Sequence, residues 1–180
     1  ELPAMSLAKS CYRGMFDGCT KLYGVPRLPA YAVYDRSYEE MFKGCTALWK
    51  APELPARYVA NYCYQSMFSG CTALTNAPEI VAASGTDTSY AYNKMFYGCS
   101  KLNNLTVRFL TWPKNGNGTQ NWLSGVATVG TFNCYVDLDT SKTGASGVPS
   151  KWIPNILTDD YLGFTAVGGD VKISIMLTED

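Results

Sequence analysis

Seven cysteines are the residues of this 180-residue chain with the most obvious chemical potential. Four form one regularly spaced series, two form a second series, and one stands apart: Cys19, Cys45, Cys71 and Cys99; Cys11 and Cys63; and Cys134. No Cys-x-x-Cys pair occurs, so the usual zinc pattern is missing. Free cysteine packs as a small apolar side chain. We therefore expect buried, reduced thiols, although neighbours in a series about 5 Å apart leave disulfides open as an alternative.

Histidine is absent, which removes the side chain used most often as a general acid or base. Ser-His-Asp and Cys-His catalysis are therefore excluded. The adjacent carboxylates Glu39-Glu40 and Asp159-Asp160 are expected to be solvated, and Asp137 with Asp139 matches no calcium-binding spacing. The sequence predicts a protein that is not an enzyme, with no catalytic residue, no metal site and no cofactor.

Charge and hydropathy narrow the possible partners. Fifteen basic residues balance fifteen acidic ones, whereas nucleic-acid-binding domains usually carry a clustered basic excess. No apolar run reaches the roughly 18 residues of a membrane-spanning helix. We therefore predict no nucleic-acid partner and no membrane span in this chain. Because it begins at Glu1 without an initiator Met, we also expect a processed or excised fragment.

A repeat organises most of the sequence. The motif Met-Phe-x-Gly-Cys occurs four times, with steps of 26, 26 and 28 residues between its cysteines. Each copy has a Tyr seven residues before the Cys and a Leu three residues after it, and three copies have a Pro four residues beyond that Leu. One such unit is too small to bury its own core, so the units must stack on one another.

This period predicts an α/β fold, a leucine-rich-repeat solenoid. In a right-handed coil of this kind, short parallel strands on one face would follow each Cys, and short helical turns on the other face would precede it. Residues 1–112 would form the array of four units, residues 113–153 a C-terminal cap, and residues 154–180 a β hairpin tail or the start of a truncated β domain. The Tyr, Met, Phe, Cys and Leu columns would form the core.

The repeat motif resembles the BspA-like leucine-rich repeats of Bacteroidetes surface proteins. Residues 62–78, YCYQSMFSGCTALTNAP, carry that resemblance almost letter for letter, and residues 121–132 and 147–152 resemble the cap that follows such arrays. The resemblance covers residues 1–153. It implies a secreted or cell-surface protein that mediates adhesion or protein–protein interaction, and it implies no catalytic residue.

Non-repeating residues beside the ladder columns are the candidate binding residues, because they are free to vary in a repeat protein. They lie on the expected concave strand face: Tyr23, Arg27, Trp49, Lys50, Glu53, Thr75, Asn76 and Asn103. Aromatic and Arg side chains are frequent hot spots of protein interfaces. The expected partner is a protein or glycan of a host or neighbouring cell.

Two other functions stay open. In a carbohydrate-binding module, Trp49, Tyr23, Trp112 and Trp122 would stack on sugar rings. In a structural spacer, the surface would bind no specific ligand at all. A tryptophan-fluorescence titration with oligosaccharides distinguishes the first of these from the second.

Overall fold

The structure is a computed structural model that describes residues 2, 4–81, 88–113 and 117–158, and the backbone of residues 166–167 and 170–171. Its main sheet has three parallel strands in the order β1-β2-β3: β1 Asn104–Thr106, β2 Gly130–Cys134 and β3 Trp152–Ile156. Leu105 of β1 is paired with Phe132 of β2, which is paired with Pro154 of β3. Two further short strands, β4 Ala166–Val167 and β5 Asp170–Val171, pair antiparallel.

The predicted α/β leucine-rich-repeat solenoid is wrong. No helix occurs in the described residues, so the helical turns expected before each Cys do not form. In the described residues, no continuous strand follows the first three cysteines of the series, and neighbouring units pair there through isolated bridges such as Lys50 with Asn76. Parallel pairing becomes continuous only from β1 onwards.

The segments before each Cys, which we call the turn segments, are chains of tight turns: residues 8–19, 34–45, 60–71 and 88–99. In each of them every fourth residue has a positive φ, and the set is Ser10, Gly14, Gly18; Arg36, Glu40, Gly44; Tyr62, Ser66, Gly70; and Tyr90, Lys94, Gly98. A left-handed residue interrupts an α-helix, so this pattern replaces the predicted helical turns.

Hydrogen bonding explains why the turns are preferred to a helix. Within the first turn segment, the amides of Met15 and Asp17 donate back to carbonyls three residues earlier. The alternate amides donate to the next turn segment instead: Phe16 N–H to the Met41 carbonyl at 2.9 Å and Gly18 N–H to the Lys43 carbonyl at 2.7 Å. In an α-helix, by contrast, the backbone amides donate to carbonyls four residues earlier in the same helix. These turns join each unit to the next.

The predicted ladder core is confirmed. Its members are almost completely buried from the second unit onwards: Tyr38, Tyr64 and Tyr92; Met41, Met67 and Met95; Phe42, Phe68 and Phe96; Cys45, Cys71 and Cys99; and Leu48, Leu74 and Leu102. Successive Phe rings stack nearly parallel, with centroids 5.4–5.7 Å apart. Equivalent residues from neighbouring units therefore fill one continuous core.

Residues 117–158 cover the end of this core. Trp122 is completely buried, and its indole N–H donates to the Gly147 carbonyl at 3.0 Å. Its ring lies about 6 Å from those of Phe109, Trp112 and Phe132. Of the predicted tail of residues 154–180, residues 154–158 and the strands β4 and β5 fall in the described part of the chain, and the rest lies outside it. Residues 154–156 belong to β3.

Candidate ligand-binding groove

All eight candidate binding residues are exposed. Seven of them line three neighbouring open hollows, which together we call the groove: Tyr23, Arg27, Trp49, Lys50, Glu53, Thr75 and Asn76. Asn103 is exposed but lines none of these hollows. Its carbonyl accepts the Thr131 amide at 2.8 Å, which places this position at the β1–β2 junction.

The aromatic hollow is the first of the three and has a volume of about 500 Å³. Tyr23 and Trp49 stand on its wall, 69% and 41% exposed, with ring centroids 6.2 Å apart and planes tilted by 44°. Arg27, Lys50 and Glu53 bring charges of both signs to the same hollow. A ligand here would meet two aromatic faces beside ionic groups.

The middle hollow, of about 380 Å³, makes the groove continuous. It shares Lys50 and Glu53 with the aromatic hollow, and Asn76 and Glu79 with the third hollow. Pro52, Pro55 and Pro78 also line it. Because proline carries no backbone N–H, this stretch offers fewer hydrogen-bond donors than its neighbours.

The third, amide hollow has a volume of about 460 Å³ and a polar lining. Asn133 of β2 donates to the Asn104 side chain at 3.1 Å and accepts from the Asn155 side chain at 2.8 Å. The three amides thus form a ladder across β1, β2 and β3. An ion pair between Arg108 and Glu79 borders the same hollow.

The eight candidate residues leave out Asn104 and Asn133, which both line the groove. The signal for Asn104 was present, because it falls in the same repeat column as Lys50 and Asn76. Asn133 lies in the cap, outside the repeat, so no periodicity points to it. Only the parallel pairing of β1 with β2 brings its amide beside that of Asn104.

Two of the four aromatic residues considered for sugar stacking are not available for it. Trp122 is completely buried in the cap core. Trp112 is half-buried, donates its indole N–H to the Asp139 carbonyl at 2.7 Å, and lies beneath the Lys142 ammonium. Tyr23 and Trp49 alone keep open faces.

The expectation of solvated carboxylates is wrong for Glu39, which is 4% exposed. Its carboxylate accepts from Arg13 and Arg36 at 2.8 Å. Its neighbour Glu40 pairs with Lys43 at 2.7 Å. Glu39 therefore joins the first two turn segments, whereas the pair of Glu40 with Lys43 lies within the second one. Asp159 and Asp160 lie outside the described residues. No cluster with the composition of a metal site occurs in the part of the chain that is described.

The seven cysteines all lie in described positions and are all free, as predicted, but two are not buried. Cys11 and Cys19 are exposed in the first turn segment. In the later units the thiol donates to a carbonyl of the preceding unit, as Cys71 does to Phe42 at 3.0 Å. Burial raises the pKa of Cys63 and of Cys71 to about 12.

We expect alkylation to divide the thiols into two groups at pH 8–9. Cys11 and Cys19 should react within minutes. Cys63 and Cys71 should stay unmodified until the protein unfolds, because alkylation needs an accessible thiolate and burial disfavours that form. Mass spectrometry of iodoacetamide-treated protein measures both rates, and treatment in denaturant should label seven thiols. Equal rates for Cys19 and Cys71 in the folded protein would contradict the packing.

Comparison with protein-family models, with curated proteins and with solved structures found no significant match to this chain. The described residues include no helix long and apolar enough to cross a membrane.

Proposed function

We propose that this chain is a non-enzymatic recognition module that binds a macromolecular partner, in the first place a protein, along the groove. The supporting observation is the aromatic hollow, where Tyr23 and Trp49 stay exposed beside Arg27 while the ladder aromatics of the same units pack into the core. Exposed aromatic residues beside Arg are typical of interface hot spots. The backbone amides of Thr75 and Asn76 donate to the Trp49 carbonyl at 3.0 and 3.3 Å and so join this position to the next unit.

The proposal also covers the location of the protein and the source of its partner. The resemblance of the repeat motif to BspA-like surface proteins favours a secreted or cell-surface location and an adhesive role. The balanced charge favours a protein or glycan of a host or neighbouring cell over a nucleic acid.

A binding screen against extracellular-matrix proteins and a glycan array tests this function. If a protein binds saturably, we expect the double variant Tyr23→Ala/Trp49→Ala to weaken it at least 30-fold, because hot-spot truncations cost about 2 kcal/mol or more. Its melting temperature should stay close to that of the parent. Tyr58→Ala is the matched control, since Tyr58 is also strongly exposed but lines none of the hollows. Unchanged affinity in the double variant would refute the assignment.

A glycan is the second candidate ligand, and the amide ladder favours it. Side-chain amides both donate and accept hydrogen bonds, so the exposed amide of the ladder residue Asn104, with that of Asn76 in the same hollow, matches sugar hydroxyls. Oligosaccharide binding should quench the fluorescence of Trp49 and weaken on Asn104→Ala. A chain that binds neither class of ligand would instead act as a spacer.

A further inference from the structure

Among the described residues, no unit packs on the outer surface of the first turn segment, whereas every later turn segment has a neighbouring unit there. We call this surface the end face, and it shares no residue with the groove. It consists of the side chains of Tyr12, Met15, Phe16 and Cys19 and the carbonyls of Cys11, Arg13, Met15 and Asp17. Met15 is 48% exposed, whereas its counterparts Met41 and Met67 are completely buried.

The hydrogen bonds between the first and second turn segments show which groups such a surface binds. The carbonyls of Ser37, Glu39, Met41 and Lys43, which correspond to those of the end face, each receive an amide of the first turn segment at 2.7–2.9 Å. Among the described residues, no donor reaches the carbonyls of Cys11, Arg13, Met15 or Asp17. The end face is thus a row of acceptors.

The side chains of the end face also fit a neighbouring repeat unit. Phe42 and Tyr38 cover one face of the Phe16 and Tyr12 rings, and in the later units such rings stack on both faces. Cys45 donates its thiol to the Phe16 carbonyl at 3.1 Å, while the equivalent Cys19 is exposed. The surface therefore offers two ring faces and a thiol donor.

From this complementarity we infer that the end face binds another unit of this repeat, carried by a polypeptide. Such a unit supplies a row of alternate amides, a Tyr and a Phe ring at the ladder spacing, and a Phe carbonyl for the Cys19 thiol.

Within its described residues, a second copy of this chain does not supply that set. Two end faces brought together would oppose carbonyl to carbonyl and leave both rows without donors. The opposite end of the array offers no equivalent row, because the Phe96 and Gly98 amides already donate to the cap at Trp122 and Ser124. The cap amides of Asn121 and Leu123 donate to Ser146 and Ala145.

A synthetic peptide of residues 27–52, with Cys45→Ser, is the first probe. We expect saturable binding that slows the alkylation of Cys11 and Cys19 at least 10-fold. N-methylation of the peptide at Tyr38, Phe42 and Gly44 should abolish binding, because it removes the donating amides. In the protein, Met15→Lys should weaken binding at least 10-fold, whereas the matched exposed substitution Val136→Lys at the cap should not.

The isolated peptide must also fold in order to bind, so a second experiment is used if the peptide has no effect. It uses a variant of the protein in which residues 27–52 are duplicated directly before Glu1. That insertion regenerates the junction of Pro52 with Glu53-Leu54-Pro55-Ala56, because Glu1 begins the same four residues. Protection of Cys19 relative to a variant with a scrambled insert would support the proposal. Cys19 as reactive as in the parent would overturn it, as would a dimer of the parent chain that protects Cys19 without any added unit.

Discussion

Phe68→Ala is expected to lower the free energy of unfolding by about 3–5 kcal/mol, the usual cost of removing a fully buried Phe. The ring is completely buried between Phe42 and Phe96, with centroid distances of 5.6 and 5.7 Å. Truncation removes stacking on both sides and leaves a cavity inside the ladder. Neighbouring backbones cannot close over it, because interunit bonds such as Phe68 N–H to the Met95 carbonyl at 2.9 Å fix their spacing.

Urea unfolding monitored by circular dichroism measures this loss. Phe16→Ala is the matched control in the same column, since Phe16 is only half-buried and stacks on Phe42 alone. It should cost clearly less than Phe68→Ala. Equal losses would mean that stacking between units does not determine the stability of the core.

Trp122→Ala is expected to be as damaging, at about 3–5 kcal/mol, because it empties the centre of the cap. Trp122 is completely buried, and its indole contacts three other aromatic rings. Removal also leaves the buried Gly147 carbonyl without its donor, a further cost of about 1 kcal/mol or more. In a chain of this length we expect a fall in melting temperature of roughly 10 °C.

Differential scanning calorimetry gives the measurement without relying on tryptophan fluorescence. Trp49→Ala serves as the control, because Trp49 is exposed and its loss should change stability by no more than about 0.5 kcal/mol. A Trp122→Ala protein that melts with the parent would refute the role of residues 117–158 in covering the core.

The repeat and the buried core could be predicted from the sequence, because both depend on which residue types recur and at what spacing. Stacking identical units puts like residues together, so the columns headed by Tyr38, Phe42 and Leu48 had to be internal. The free state of the cysteines followed from the same reasoning. The same reasoning predicted that Cys11 and Cys19 are buried, which is wrong, because among the described residues the first unit has a neighbour on one side only.

Local conformation was misjudged for an identifiable reason. Apolar residues in the turn segments recur at intervals that fit a helix, and side-chain pattern alone does not distinguish a helix from a chain of turns. Ser66 and Glu40 adopt positive φ although neither is a glycine. The bonds that accompany this conformation go to another unit, and a local pattern carries no information about them.

The residues of the groove could likewise be predicted only in part from the sequence. Sequence variation beside the ladder determined which aromatic and charged residues would be exposed, and Tyr23, Arg27, Trp49, Lys50 and Glu53 do share one hollow. Tertiary structure alone decided that Asn133 extends the polar end of the groove and that Asn103 stays apart. The physical reason is the distance along the chain over which each pattern acts. Periodicity determines which residues repeat from unit to unit, whereas the pairing of strands between the last unit and the cap determines which side chains outside the repeat come into contact.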